Sequence, residues 1–168
     1  SVYINRFSVF LPNQPVGNDE MEQYIGLVNK KSLLAKRLVL GKNGIETRYY
    51  ALDKSGRVTH TNVEMAANAV KGLLNERLAL NDIDLLSCGT ATPEQVMPSH
   101  GGMVHGELKS GKHTEVVSFA GSCWTRMQAL RYVYVSTMAG DSRNAGCVTS
   151  EGCSAWVLAR SCDWESGL

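Results

Sequence analysis

Apolar and polar positions alternate along Val2–Leu11, which is rich in Val, Ile and Phe, and the run predicts a strand closed by Pro12. Asn18 and Asp19 read as a helix start leading into Met21–Val28. Leu33–Tyr50 holds Gly41, Gly44 and several basic residues, and predicts a helix followed by a loop. Thr61-x-x-Glu64 is a capping-box pattern, and after it Ala66, Ala69, Val70, Leu73 and Leu74 recur at helical spacing. Ile83–Cys88 predicts a short apolar strand ending in the polar tip Gly89-Thr90. Pro98-Ser99 starts another helix, which ends near Leu108, and Lys109–His113 is a charged turn. Glu115–Phe119 is a buried-type strand running into Ala120-Gly121-Ser122-Cys123. From Trp124 to Ala139 the pattern is helical, with Met127, Leu130, Tyr134 and Met138 on one face and Gly140 placed as C-cap. Asn144–Ser150 and Ala155–Arg160 predict two further strands. Strands and helices in this order predict an α/β layered fold with a mostly parallel sheet. No internal repeat, low-complexity segment or linker interrupts it, so residues 1–168 read as one domain.

Composition narrows the functional classes. The chain has 168 residues, enough for one domain with a sizeable core. A formal net charge of +1 supplies no strong basic field for nucleic acid or an anionic membrane. No apolar run is long enough to span a bilayer and no signal peptide is visible, while the start at Ser1 leaves a processed or missing N-terminus as the expectation. Five cysteines, an odd number in a chain of this size, argue against a disulfide framework and for a reducing cytoplasm. They form no C-x-x-C pair, and Cys147, Cys153 and Cys162 are not at zinc spacing, so no metal site is expected. Core packing is the default reading for four of the five.

Cys123 is the exception. It lies where an apolar strand turns through Gly121-Ser122 into a helix. The first turn of a helix carries free backbone N–H groups and a partial positive charge, and both stabilise a thiolate. The same N–H groups can donate to an oxyanion during acyl transfer. Gly121 lets the backbone turn sharply. A buried structural cysteine at a helix start is the alternative that the position alone leaves open.

Four segments carry a resemblance across nearly the whole chain: Gly44-Ile45-Glu46-Thr47-Arg48, then Cys88-Gly89-Thr90-Ala91-Thr92 with Pro98-Ser99, then Phe119-Ala120-Gly121-Ser122-Cys123, and Val157-Leu158-Ala159-Arg160-Ser161-Cys162-Asp163. In order and spacing they resemble the N-terminal half of the ketoacyl-ACP synthase III group of the thiolase superfamily. The resemblance implies a five-layered fold of two similar α/β halves, of which this chain is the first, and an obligate homodimer. It also implies a ping-pong condensation: a cysteine takes an acyl group from coenzyme A or an acyl carrier protein, and a decarboxylated malonyl thioester attacks it. Cys123 takes the nucleophile position, and its own N–H would be one oxyanion donor. The resemblance implies no cofactor beyond these thioester substrates. The family's decarboxylating His and Asn belong to the second half; His60, His100, His105 and His113 follow no second-half motif and read as surface or packing residues. Residues 1–168 alone are therefore expected not to complete the reaction.

The resemblance also places Lys42, Arg48 and Arg160 in the region that binds the coenzyme A nucleotide or the carrier face, where cations suit phosphate. Solvated surface charge is the alternative for Lys42. Leu38 stands where the family often has an adenine-stacking aromatic, which favours a carrier protein as donor. Met97 matches the residue that reaches across the dimer to close the partner's acyl tunnel; an ordinary interface methionine is the alternative. Trp124 and Arg126 follow the nucleophile where small residues are common. Ala91 stands where hydroxymethylglutaryl-CoA synthases carry a catalytic glutamate, and Glu94 is a doubtful substitute. Tyr49-Tyr50, Trp156 and Trp164 read as packing residues. Three functional readings follow: a condensing enzyme of fatty-acid or polyketide-type synthesis, an acyltransferase to a hydroxyl or amine, and a non-catalytic or truncated partner of a ketosynthase subunit.

Overall fold

A computed structural model describes residues 1–26, 32–110 and 113–155. Arg160, Cys162, the two tryptophans 156 and 164, and all but the first residue of the strand expected at Ala155–Arg160 lie outside the described residues. The chain forms two compact units: Ser1–Phe10 with Thr61–Glu151, and Leu11–His60 with the segment beginning at Gly152.

The first unit is built on a three-stranded parallel sheet in the order β4-β3-β5, from β3 (Leu85–Thr90), β4 (Glu115–Ala120) and β5 (Ala145–Thr149). Leu85 pairs with Glu115 on one side and Ala145 on the other. Every residue of β3 is buried, as a central strand covered on both faces must be. Its side chains alternate between two layers. Leu86 and Cys88 join Val148 against α3 (Asn62–Lys71) and α4 (His100–Leu108), in a core with Val63, Ala66, Ala67, Val70, Val104 and Leu108. Ser87 and Gly89 point the other way, to α5 (Trp124–Ala139), where the Ser87 hydroxyl donates to the Ala129 carbonyl at 3.0 Å. Each fully buried Leu or Val contributes about 1.5–3 kcal/mol.

The helix ends follow the sequence signals. Thr61 and Glu64 form the capping box of α3, Ser99 caps α4 by accepting the Gly102 N–H, and Gly140 closes α5 in a left-handed conformation at φ 88°. Gly101 lets α4 settle on β4, for a Cβ there would lie 3.1 Å from Val116 Cγ1, and its N–H donates to Ser118 Oγ.

The strand expected at Val2–Leu11 is not formed. The segment has no regular secondary structure, and Phe7 is 85% exposed. The Ser8 hydroxyl, donating to the Ala69 carbonyl, ties it to α3. Alternation makes a segment fit to pair, but a strand exists only where a neighbour takes up its N–H and C=O groups. Among the described residues no strand does so.

The second unit holds a two-stranded antiparallel ladder, β1 (Val16–Gly17) with β2 (Thr47–Arg48), and helices α1 (Met21–Ile25) and α2 (Ser32–Asn43). The helix expected at Met21–Val28 is seen to Ile25; residues 27 and 28 lie outside the described residues. Gly44, at φ 67°, follows the end of α2 before the chain extends into β2. A small core of Val16, Tyr50 and Leu52 packs with Tyr24, Ile25 and Ala155. Asn13 fastens it, donating to the Tyr50 carbonyl at 2.7 Å and to Thr59 Oγ1 at 2.8 Å.

Candidate active site

In the first unit α4 and α5 lie on opposite faces of the sheet, because the chain runs one way from β3 through α4 to the β4 edge and then the opposite way from β4 through α5, past β3, to the β5 edge. Where connections diverge like this, the carboxyl ends of the strands open a crevice suited to a ligand. Three strand ends meet there. The Gly121 N–H donates to the Thr90 carbonyl at 3.2 Å, and the Ser150 N–H donates to the Gly89 carbonyl at 3.3 Å.

Cys123 stands at this rim. It is exposed and occupies the N-cap position of α5, with backbone angles already helical at φ −49° and ψ −24°. Gly121 makes the turn possible: its φ of 152° is rarely open to L side chains, and a Cβ there would meet Thr125 Cγ2 at 3.1 Å. The Ser122 carbonyl accepts both the N–H and the hydroxyl of Thr125, at 2.9 Å each, which fixes the first turn. The helix terminus thus presents its positive end to the thiol.

Burial separates Cys123 from two other cysteines. It pushes the Cys88 thiol up to about 12, with Cys147 adding a smaller push, and it raises the Cys147 thiol to about 11. Both stay protonated at neutral pH; Cys88 is a core residue and Cys147 is partly buried on β5. Cys153 is exposed and belongs to the second unit.

Two further groups stand at the rim, of which the first is absent from the sequence reading. The Glu151 carboxylate, two residues past the end of β5, accepts the Ala91 N–H and the Thr92 hydroxyl, each at 2.9 Å, and pairs with Arg126 Nη2 at 2.9 Å. A carboxylate therefore sits on the backbone of Ala91, delivered from another strand. The other is His100, read as a surface or packing residue. It is only 2% exposed, and its Nε2 lies 3.1 Å from Ser150 Oγ. Burial lowers its pKa, while Glu94 and Glu151 pull it back up. Glu94, the doubtful substitute, has a capping role: its carboxylate accepts the Val63 N–H in the first turn of α3. The signal for Glu151 was its place just after a parallel strand, where ligand-binding loops gather.

Of the other expected site residues, Met97 is 81% exposed on the loop between β3 and α4. Lys42 and Arg48 belong to the second unit. Lys42 is exposed in the last turn of α2. Arg48 is half-buried and engaged within its unit: its Nη2 donates to Asn18 Oδ1, and its charge opposes the burial that raises the Tyr50 hydroxyl. Among the described residues no group of three or more His, Cys, Asp or Glu is placed to hold a metal ion, and no helix is long and apolar enough to cross a membrane.

The parallel sheet with helices on both faces and a cysteine at the strand-to-helix turn defines a class, the N-terminal half of a thiolase-like α/β fold. Within that class the chain's sequence relatives include beta-ketoacyl-[acyl-carrier-protein] synthase III proteins. That of Clostridium perfringens is 24% identical over 160 residues, covering 95% of this chain and 44% of the relative. The synthase III structure from Aquifex aeolicus VF5 superposes with a TM-score of 0.69 at 24% identity, over 88% of this chain and 44% of that one. AbyA1, a tetronic acid condensing enzyme, gives a TM-score of 0.66 at 27% identity, over 83% of this chain and 41% of its own. The chain thus spans less than half the length of the curated relatives it matches. No family model matches it.

Proposed function

We propose that residues 1–168 are the N-terminal α/β domain of a synthase III-type condensing enzyme, with Cys123 as its acyl acceptor. The observation that carries this reading is the exposed thiol at the first turn of α5, on the carboxyl rim of the parallel sheet. The Cys123 thiolate attacks the carbonyl carbon of an acyl thioester of coenzyme A or an acyl carrier protein. Backbone N–H groups of the turn hold the oxyanion, and the donor's thiolate leaves and takes up the proton that Cys123 released. A malonyl thioester then loses carbon dioxide, and its carbanion displaces the Cys123 thiolate from the acyl group. Lys42, Arg48 and Arg160 are proposed for the donor's phosphate side, and Met97 for a dimer contact at the acyl tunnel. Similarity to enzymes named for this reaction supports the proposal.

The test separates the two half-reactions. Residues 1–168 alone should acylate Cys123 slowly from an acyl thioester and release no carbon dioxide from labelled malonyl-CoA. Removing one oxyanion donor costs about 10²–10³ in rate, so without the second half's His and Asn the decarboxylation falls below detection. Turnover at the rate of an ordinary condensing enzyme by these residues alone would overturn the two-half account. Acyl transfer from Cys123 to a hydroxyl or amine, without malonyl consumption, would mark the acyltransferase instead.

A further inference from the structure

Arg126 is three residues beyond Cys123 in a turn that is helical from Cys123 onward. Residues at this spacing are neighbours on one helix face, about 5–6 Å apart at their Cβ atoms. An unpaired guanidinium there would put a full positive charge beside the nucleophile. Glu151 prevents this. Its side chain is only 16% exposed, it is anchored by the Ala91 N–H and the Thr92 hydroxyl, and it accepts Arg126 at 2.9 Å. The carboxylate is held by three groups from two other segments, so it is a fixed counter-charge rather than a passing surface partner. Among the described residues, two further titratable groups near this rim are engaged elsewhere: Glu94 at α3, and His100 against Ser150.

On the reading that Cys123 accepts an acyl group, we propose that the Glu151–Arg126 pair is a specificity determinant that neutralises the approach to the thiol. Uncharged acyl groups load on Cys123, and acyl groups carrying a carboxylate gain no attraction there. This separates the donor of the first half-reaction from the carboxylated thioester of the second. Glu151 acts through Arg126 and is a positioning residue.

The experiment uses the 168-residue chain and four variants, Glu151→Gln, Arg126→Gln, the double variant and Glu151→Asp. Peptide mass mapping follows alkylation of Cys123 by anionic iodoacetate and neutral iodoacetamide, and the rate ratio reports the local charge whether or not any acyl thioester is accepted. A unit charge at about 7 Å in a water-exposed setting changes that ratio about three-fold. The ratio should rise about three-fold in E151Q, fall about three-fold in R126Q and return to the parent value in the double variant. E151D, which keeps the charge, should stay at the parent value. Self-acylation by succinyl-CoA relative to butyryl-CoA, acyl groups of equal length, should follow the same order. Shifts of one sign in both single variants, no shift, or an E151D ratio that follows E151Q would each overturn the proposal. If the alkylation ratios move as expected and neither thioester loads, the acyl-acceptor reading fails and the charge pairing stands.

Discussion

A Cβ placed on Gly89 would lie 3.3 Å from the Cβ of Ala129 and 3.0 Å from the carbonyl oxygen of Thr125. At Gly89 the central strand and the nucleophile's helix therefore touch through backbone and a single methyl group. Gly89→Ala must push the first turns of α5 outward, at a cost of about 1–3 kcal/mol for an overpacked contact. Urea denaturation should show this loss, and alkylation of Cys123 should slow with it. Ala129→Gly in the same chain should recover part of both. An unchanged midpoint would show that the contact is looser than the distances state.

The cysteines should separate by reactivity. Iodoacetamide at neutral pH should modify Cys123 well before Cys88 or Cys147, because burial raises those two thiols to about 12 and about 11. Mass mapping of the native chain over time checks the order. Earlier modification of Cys88 or Cys147 would remove the basis for naming Cys123.

His100 should give the fold an acid-sensitive limb. Its pKa is below 6.5 in the folded chain, chiefly through burial, and near 6.5 when unfolded, with Glu94 and Glu151 acting in the opposite sense. Below 6.5 the unfolded chain thus binds more protons at this residue, and stability falls as pH drops until the folded form also protonates. His100→Gln keeps a polar group near Ser150 without a titrating ring. Its urea midpoint should change less between pH 7 and pH 5 than that of the parent chain. Equal changes in the two proteins would exclude His100 as the source.

The outer face of α5 should drive association. Trp124, Met127, Tyr134, Val135 and Met138 are all at least half exposed along one helix. Apolar area gathered in this way favours self-contact. Light scattering should find the isolated chain oligomeric or sparingly soluble, and Met127→Glu with Met138→Glu should move it toward monomer. A monodisperse monomer of the parent chain would count against this face as an interface.

Much of the fold was legible because its signals are local. The Thr61–Glu64 box, Ser99 before α4 and Gly140 after α5 act within one helical turn, and all three appear where the pattern put them. The turn at Gly121 was legible for the same reason. Pairing was not. Val2–Leu11 has the alternation of a strand, whereas Val16–Gly17 and Thr47–Arg48 are too short to announce one, and only the latter two found a ladder. The rim was half legible: Cys123 announces itself through a neighbouring glycine and helix, but Glu151 meets Ala91 across sixty positions of sequence, and no spacing rule spans that gap.

The parallel pairing also sets an order of assembly. Leu85 joins Ala145 only after the whole of α4, β4 and α5 has been made, so one flank of the central strand stays open until late. Closing so long a loop is slow by the standards of local helices. Glu151 follows that last strand, so the anchor of Arg126 is set after the helix bearing Cys123 has formed. A chain released from the ribosome before residue 151 would carry a helix with its thiol and no partner for its arginine, and a nascent-chain alkylation series would place that step in time.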